Sequence, residues 1–343
     1  MAANPLVQPA ASGAAPGRVD AGASAIDGLA PRQIRKGATG GDRIFRGITG
    51  GVGLVSLVVV GATAGFLFLE ARPALRSSGW LDFFTSSVWN SSNGNFGVAG
   101  LLIGTILIAT IGLVVGTPIA LATAIFINEY APLKLRRWLV SAIDLLAALP
   151  SLIFGLWGLF ALQKTLVGPA EWMGHHLSAI PIFRLSEADG SVSWSRSVFI
   201  TGIVVALMIV PIVTAVSRDV MSQVPRDLVE GALALGGSRW GAVRTVILPF
   251  GRSGIVGAAL LGFGRALGET IAVAIILSVS VNTNWNVLET NGGSVAGWIA
   301  IQFGEANANA RSGLIAAGLA LFMLTLVVNA TARVIVKRTT RFA

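Results

Sequence analysis

The chain has 343 residues, of which 54% are hydrophobic and only 12% are charged, and its formal net charge is +9. Soluble domains contain about 25% charged residues, so the composition excludes an ordinary soluble protein and predicts an all-α integral membrane protein. The basic residues do not form one dense stripe with interleaved aromatics, which excludes a nucleic-acid-binding protein. The chain has no cysteine, so it has no disulfide and no thiol nucleophile.

The chain begins with a segment rich in Ala, Gly, Pro and Ser that lacks hydrophobic periodicity. This composition predicts a disordered tail over residues 1–42, with no removable signal peptide. Six apolar segments follow, each close to the roughly 20 residues that cross a bilayer. The predicted spans cover residues 45–69, 98–127, 138–162, 197–216, 253–281 and 312–336. We therefore predict a first transmembrane helix with its external loop (43–94), a transmembrane domain (95–336) and a short basic tail (337–343).

The distribution of Lys and Arg predicts the orientation. Eighteen of the 25 basic residues fall in the two termini, in the connection between spans two and three, and in the segment between spans four and five. Only six fall on the other side, and Arg265 lies inside a span. Because cytoplasmic loops carry the excess of Lys and Arg, both termini are predicted to be cytoplasmic in a multi-pass protein of the cell membrane.

The predicted external loop, 163–196, contains a candidate hairpin and a pair of histidines. Asp189-Gly190 lies between alternating residues and predicts a small hairpin, to which an external partner could dock. His175 and His176 are adjacent without a third ligand nearby, so we expect no metal site. The chain also lacks a credible phosphate-binding loop and any catalytic motif. It is predicted to be neither an enzyme nor a cofactor-binding protein.

The segment from Pro225 to Pro249 has helical punctuation but is too polar to cross a membrane. Pro225 suits a first helical turn, Gly236-Gly237 suits a helix end, Ser238 can cap a second helix, and Pro249 is expected to end that helix. Two short helices result, each with an apolar face. Those faces carry Leu228, Ala232 and Leu235 on the first helix and Trp240, Val243 and Ile247 on the second. Helices this short are marginal alone, so the hairpin is predicted to dock against another surface.

Three prolines fall inside predicted spans: Pro118, Pro150 and Pro211. Each removes a backbone hydrogen bond, so each is expected to kink its helix. Bent or broken helices are usual in transporters, although proline kinks also occur in membrane proteins that transport nothing.

Arg265 and Glu269 lie inside the fifth predicted span. Charged side chains in the bilayer are costly and normally face a polar cavity or a partner. Their spacing of four predicts a shared helix face. An internal ion pair is one interpretation. A functional role is favoured, because apolar residues would fill these positions at lower cost and because Arg binds oxyanions through its planar fork.

The hairpin resembles the EAA loop of ABC importer permeases. The matching residues are Glu230, Gly231, Ala232, Gly236, Val246, Leu248 and Pro249. Gly231 and Val246 depart from the Ala and Ile of that pattern. The resemblance implies a type I ABC importer permease fold, with six transmembrane helices and a cytoplasmic coupling-helix hairpin that docks on an ATPase subunit.

Three further runs narrow the resemblance to the PstC-type permeases of phosphate ABC transporters. They are Asn128–Pro132, LPSLIFGLWGLF from Leu149 to Phe160, and GFGRALGET from Gly262 to Thr270. The sister PstA-type permease has a related pattern, and its role remains an alternative.

The PstC-type resemblance implies a heterodimer with a PstA-type permease, two PstB-type ATPase subunits that hydrolyse ATP, and an external PstS-type phosphate-binding protein. Arg265, Glu269 and Thr270 are the expected translocation residues, with Arg265 meeting phosphate and Glu269 holding or releasing that Arg.

Two rival functions remain open. An ion-coupled secondary anion transporter would use Arg265 and Glu269 directly, but would be expected to show inverted repeats and more intramembrane carboxylates. A membrane scaffold would use the hairpin only as an interaction site.

Overall fold

The computed structural model describes residues 40–184 and 193–340. Most of the predicted tail and the Asp189-Gly190 hairpin lie outside the described residues. The chain divides into two compact units, with the boundary between Val59 and Val60. In the first unit the described side chains from 43 to 59 are all exposed on a helix.

The described residues are mainly helical. The α-helices are α1 (Gly40–Ser78), α2 (Trp80–Thr85), α3 (Ala99–Ile125), α4 (Leu133–Ala148), α5 (Ser151–Trp157), α6 (Gln163–His176), α7 (Val198–Ser222), α8 (Arg226–Ala234), α9 (Arg239–Ala242), α10 (Leu248–Leu267), α11 (Ile271–Ile276), α12 (Val295–Gln302) and α13 (Ala308–Thr340). Turns of π-helix at Phe126–Tyr130, Gly158–Leu162 and Val243–Ile247 extend or join them, and short 3₁₀ turns lie at Pro181–Phe183 and Phe303–Glu305. Strands β1 (Trp89–Asn90) and β2 (Asn95–Phe96) form a small antiparallel hairpin.

Six helical segments are long and apolar enough to span a membrane, which confirms the predicted number. They are Arg43–Ser78, Ala99–Tyr130, Ser151–His176, Val198–Ser222, Arg239–Leu267 and Ala308–Val334.

The predicted bounds of the third span were wrong. The helix breaks at Leu149, whose ψ of 136° is extended, and Pro150 precedes the new helix instead of kinking one. The cause is steric, because the ring of a proline disfavours a helical conformation in the residue before it. The span therefore begins at Ser151, and residues 163–176, predicted to be an external loop, are helical.

The predicted end of the hairpin at Pro249 was also wrong. The chain stays helical from Arg239 to Leu267. The π turn at Val243–Ile247 places a hydrogen bond from the Leu248 amide to the Val243 carbonyl, and Pro249 then lies in the first turn of α10. The first turn of a helix tolerates a proline, which lacks a backbone amide hydrogen. The wider π turn accommodates one additional residue without ending the helix. The second hairpin helix and the fifth span are thus one helical segment.

The centre of the second unit is the packing of α3, α7 and α10. Prolines 118 and 211 lie inside α3 and α7, as predicted. Glycines allow the close approach: a Cβ on Gly116 would lie 2.9 Å from Ile209, and one on Gly262 would lie 2.6 Å from Val213. The buried core around them includes Ile108, Ala120, Val205, Ala258 and Ala266. This arrangement fixes α10, which carries Arg265.

Candidate functional site

The fifth span ends in a break that lies between two charged positions. Helix α10 stops at Leu267, and α11 begins at Ile271. The Gly268 amide donates to the Arg265 carbonyl at 3.2 Å, which tightens the last turn. The Thr270 hydroxyl donates to the Gly268 carbonyl at 3.0 Å. Residues Gly268–Thr270 thus form a local turn at the end of the apolar span.

The break overturns the prediction that Arg265 and Glu269 share a helix face. Arg265 lies in the last turn of α10 and is exposed, whereas Glu269 lies in the turn and is only 9% exposed. Both residues are described, and no ion pair of 4.0 Å or less joins them. The carboxylate of Glu269 instead accepts a long bond of 3.5 Å from the Ala272 amide. The guanidinium is therefore open and the carboxylate is held at the start of α11.

Arg265 continues the open side of α10. Gly257, Leu261, Arg265 and Gly268 recur at helical spacing and are exposed, and a Cβ on Gly257 would meet nothing within 4 Å. The opposite side of the helix is buried against α7. An arginine in the last turn of a membrane-spanning helix, on a face that the described residues leave uncovered, is suited to a polar pathway completed by another subunit.

The break in the third span lies against the break in the fifth. Helix α5, which begins after Pro150, packs on α11. A Cβ on Gly155 would lie 2.9 Å from the Cα of Ala272, and one on Gly158 would lie 2.9 Å from Ile276. Because glycine lacks Cβ, the backbone of α5 can approach α11 this closely. The Pro150 region therefore packs beside the element that holds Glu269.

The hairpin formed by α8 and α9 has the predicted caps. Gly236 has a φ of +84°, which favours glycine, and the amides of Gly236 and Gly237 donate to Leu233 and Ala232 at 3.0 and 3.1 Å. These two bonds close α8 in the manner of a Schellman motif. The Ser238 hydroxyl accepts from the Gly241 amide at 3.0 Å and caps α9. The sequence thus specifies the turn between the two helices.

Only part of the predicted apolar surface of the hairpin is covered by this chain. Val243 and Ile247 are buried with Met221 and Ala124, at the ends of α7 and α3. Leu228, Trp240 and Leu235 remain 51%, 54% and 92% exposed. Glu230, Gly231 and Pro249 are exposed, and Ala232 and Leu248 are half-buried. The hairpin therefore has one face seated on the span ends and another that presents apolar side chains.

Sequence reasoning missed a polar network beside this hairpin. The side chain of Asn128 donates to the Arg218 carbonyl of α7 at 2.9 Å and accepts from Arg136 of α4 at 3.1 Å. A cavity of about 70 Å³ is lined by Asn128 and Arg136 together with Arg226 and Val229 of α8. Asn128 belonged to a run that carried the resemblance, but its contact with Arg218, 90 positions further along the chain, could not be read from the sequence.

The adjacent histidines have local partners. His176 stacks on Trp172 and its Nδ1 lies 2.9 Å from the Trp172 carbonyl, while His175 lies 6.0 Å from Trp194. Among the described residues, no group of three His, Cys, Asp or Glu side chains could hold a metal.

The family model for the inner membrane component of binding-protein-dependent transport systems matches residues 116–341, which include the hairpin and the charged break. This chain belongs to that family. Its members are transport components of multi-subunit ABC transporters, with an ATPase as a separate subunit and a binding protein, so the chain is a multi-pass membrane transport subunit and not an enzyme.

Curated relatives in this family match most of the chain. The phosphate transport system permease protein PstC of Mycobacterium leprae is 42% identical over 86% of this chain and 92% of its own length. PstC 2 of Mycobacterium tuberculosis is 40% identical over 86% of this chain and 91% of its own length. The PstC of Haemophilus influenzae is 34% identical over 87% of this chain and 93% of its own length.

The fold of this family member is also found among solved transporters. A chain from the bacterial alginate ABC transporter, crystallised with its alginate-bound periplasmic protein, aligns with a TM-score of 0.57. The alignment covers 87% of this chain and 97% of that one at 14% identity. A second alginate transporter structure aligns with a TM-score of 0.52 over 86% of this chain and 99% of that one at 15% identity. The predicted type I ABC importer permease fold is therefore confirmed.

Proposed function

We infer that the chain is the permease subunit of an ATP-driven importer that carries inorganic phosphate across the cell membrane. The observation that carries this inference is the open guanidinium of Arg265 at the end of the fifth span. The named PstC relatives, which match 86% or more of the chain, support phosphate as the anion.

Arg265 would bind phosphate during translocation, because its planar fork makes two charge-assisted bonds to a tetrahedral oxyanion. Glu269 would act on the same pathway from the break, and the backbone turn at Thr270 would orient it. Since Arg265 has no ion pair with Glu269, the guanidinium needs no exchange of partner before it meets the anion. The carboxylate of Glu269, four residues further along the chain, would favour release of the bound anion by charge repulsion.

The hairpin would couple the permease to its ATPase. Leu228, Leu235 and Trp240 are the exposed apolar residues that a groove on the ATPase would cover. Gly236 would keep α8 and α9 at the angle that fits that groove, and Glu230 would lie at its polar edge. The second hairpin helix continues into α10, so docking at the hairpin is linked by one helical segment to Arg265.

The assembly would contain this chain, a PstA-type second permease, two PstB-type ATPase subunits and a PstS-type phosphate-binding protein. The second permease would cover the open side of α10. With the hairpin beside the ATPase, both termini would lie in the cytoplasm, consistent with the excess of Lys and Arg on that side.

The test is uptake of labelled phosphate by the complete complex, purified through this chain and reconstituted into proteoliposomes. We expect uptake that requires ATP and the binding protein and that survives collapse of ion gradients. Uptake driven by an ion gradient without ATP would support a secondary transporter instead. Sulfate and molybdate, tested in parallel, decide whether the anion is specifically phosphate.

Two variants test the assigned residues in that assay. Arg265→Gln should lower uptake at least about 100-fold, because each bond from a charged donor contributes about 1.5–3 kcal/mol. Leu261→Ala, one turn away on the same open face, is its control. Gly236→Trp should release the ATPase subunits, whereas Gly231→Ala, at an exposed helical position with nothing within 4 Å, should retain them. Normal uptake by the arginine variant would exclude its substrate role.

A further inference from the structure

Helix α4 buries little of its surface against the rest of the described chain. Of its sixteen residues, only Ile143 is buried, and Leu133, Trp138 and Leu145 are each at least 70% exposed. With so little apolar area covered by the chain, hydrophobic burial contributes little to the placement of α4. Hydrogen bonds at the start of α4 therefore contribute more to its position than they would in a well-buried helix.

Asn128 uses both ends of its amide at this point. Its Nδ2 donates to a carbonyl of α7, and its Oδ1 accepts from the guanidinium of Arg136 in the first turn of α4. The asparagine itself lies in the π turn that follows α3. One side chain thus joins α3, α4 and α7, and the bond from a charged donor is of the stronger class.

The same side chain lies at the base of the hairpin. Asn128 and Arg136 line a cavity together with Arg226 and Val229 of α8. Ile247, the last residue before α10, also lines this cavity. Arg218, whose carbonyl accepts from Asn128, precedes the first residue of α8 by only eight positions. A displacement of the hairpin would therefore alter the hydrogen bonds that Asn128 makes with Arg218 and Arg136.

The other end of α4 leads to the charged break. Helix α4 ends at Ala148, and after Leu149 and Pro150 the chain enters α5, which packs on α11 through Gly155 and Ala272. The second residue of α11, Ala272, donates its amide to the Glu269 carboxylate. A route separate from α10 thus runs from the cavity at the base of the hairpin through Asn128 and α4, across the Leu149-Pro150 link, to α5 and α11.

We propose that Asn128 is a positioning residue for transport: together with Arg136 it ties α4 to the base of the hairpin, so that ATPase movement reaches the Glu269 side of the break as well as the Arg265 side. The proposal rests on the proposed function. A chain of contacts alone does not establish coupling, so the test measures coupling directly.

The measurement is the number of ATP molecules hydrolysed per phosphate imported by the reconstituted complex. Asn128→Ala and Arg136→Gln should each raise this ratio at least about threefold and lower uptake about tenfold, while the complex still assembles. Arg136→Lys keeps a charged donor and should recover a ratio near that of the wild type. Arg137→Gln, an exposed basic neighbour for which no hydrogen bond is described, is the matched control and should leave the ratio unchanged.

A double-mutant cycle adds a readout that a general loss of stability would not move. If the two residues act through one bond, the combined variant should raise the ratio no more than either single variant does. Multiplied effects would show that they act independently and would overturn the proposal.

A distance measurement tests the tie itself. Because the chain has no cysteine, Trp138→Cys on α4 and Asp227→Cys in the first turn of α8 can carry spin labels at two exposed positions. The distance distribution should be narrow in the parent chain and in Arg137→Gln, and broad in Asn128→Ala. A narrow distribution and an unchanged ATP ratio in Asn128→Ala would refute the proposal. If the parent complex itself imports no phosphate, the proposed function fails instead.

Discussion

Helix α7 and the third span are both apolar and long enough to cross a membrane, yet this chain covers them very differently. In the most apolar 18-residue stretch of each, 67% of α7 is buried but only 11% of the third span. Helix α7 packs between α3 and α10, so its position is fixed by the chain itself. The third span leaves Leu156, Trp157 and Phe160 exposed for lipid or another subunit. The molecule therefore combines a self-packed scaffold with elements whose apolar surfaces need a partner or the bilayer.

The largest expected effect is a substitution in the scaffold. In Gly104→Val the new side chain would overlap the backbone of Gly293, and backbone cannot rotate away as a side chain can. We expect most of the folded protein to be lost, as measured by size-exclusion chromatography in detergent. Gly65→Val, at a position with nothing within 4 Å, is the control. Equal yields for the two variants would remove the distinction between scaffold and open helix.

A smaller effect should separate the two sides of α10. A Cβ on Gly262 would lie 2.6 Å from a methyl of Val213, so Gly262→Ala requires that side chain to shift and should cost about 1–3 kcal/mol. Gly257→Ala fills open space on a helix and should be neutral or stabilising in the isolated subunit. Thermal unfolding of the two variants gives the comparison. A loss of assembly by Gly257→Ala alone would place a partner against the open side.

The smallest effect should come from a polar contact inside the scaffold. The Thr214 hydroxyl donates to the Ala120 carbonyl at 3.2 Å, between α7 and α3. Side-chain hydrogen bonds between membrane helices average about 0.6 kcal/mol, so Thr214→Val should lower the unfolding temperature only slightly. Thr123→Val, whose exposed hydroxyl bonds within its own helix, should lower it less. A larger loss in Thr123→Val would contradict the interhelical contact.

Local rules predicted the hairpin turn well. The positive φ of Gly236 and the cap at Ser238 are properties of a few adjacent residues, and the six apolar segments are properties of composition. The position of the helix breaks was harder to predict. Pro150 immediately precedes a helix, whereas Pro249 lies within a continuous helical segment. The π turn before Pro249 shifts the backbone hydrogen bonds, so the proline ring does not interrupt that segment.

The candidate site was predictable in its residues but not in its geometry. The cost of intramembrane charge singled out Arg265 and Glu269. A spacing of four then indicated a shared helix face, but the helix ends between them, so the two groups are held by different elements. The contacts between Asn128 and Arg218 and between α5 and α11 join distant parts of the chain. Such contacts depend on tertiary packing, for which a single sequence has no local signal.

The continuity of the helical segment Arg239–Leu267 has a mechanical consequence. Its 29 residues span about 43 Å at 1.5 Å per residue. Arg265 lies 26 residues, or about 39 Å, from Arg239, so a tilt of roughly 5° of this stiff segment about its hairpin end would move Arg265 sideways by about 3.4 Å. A travel of this size exceeds the length of a hydrogen bond, so a modest rotation at the hairpin end is enough to make or break contact with an anion.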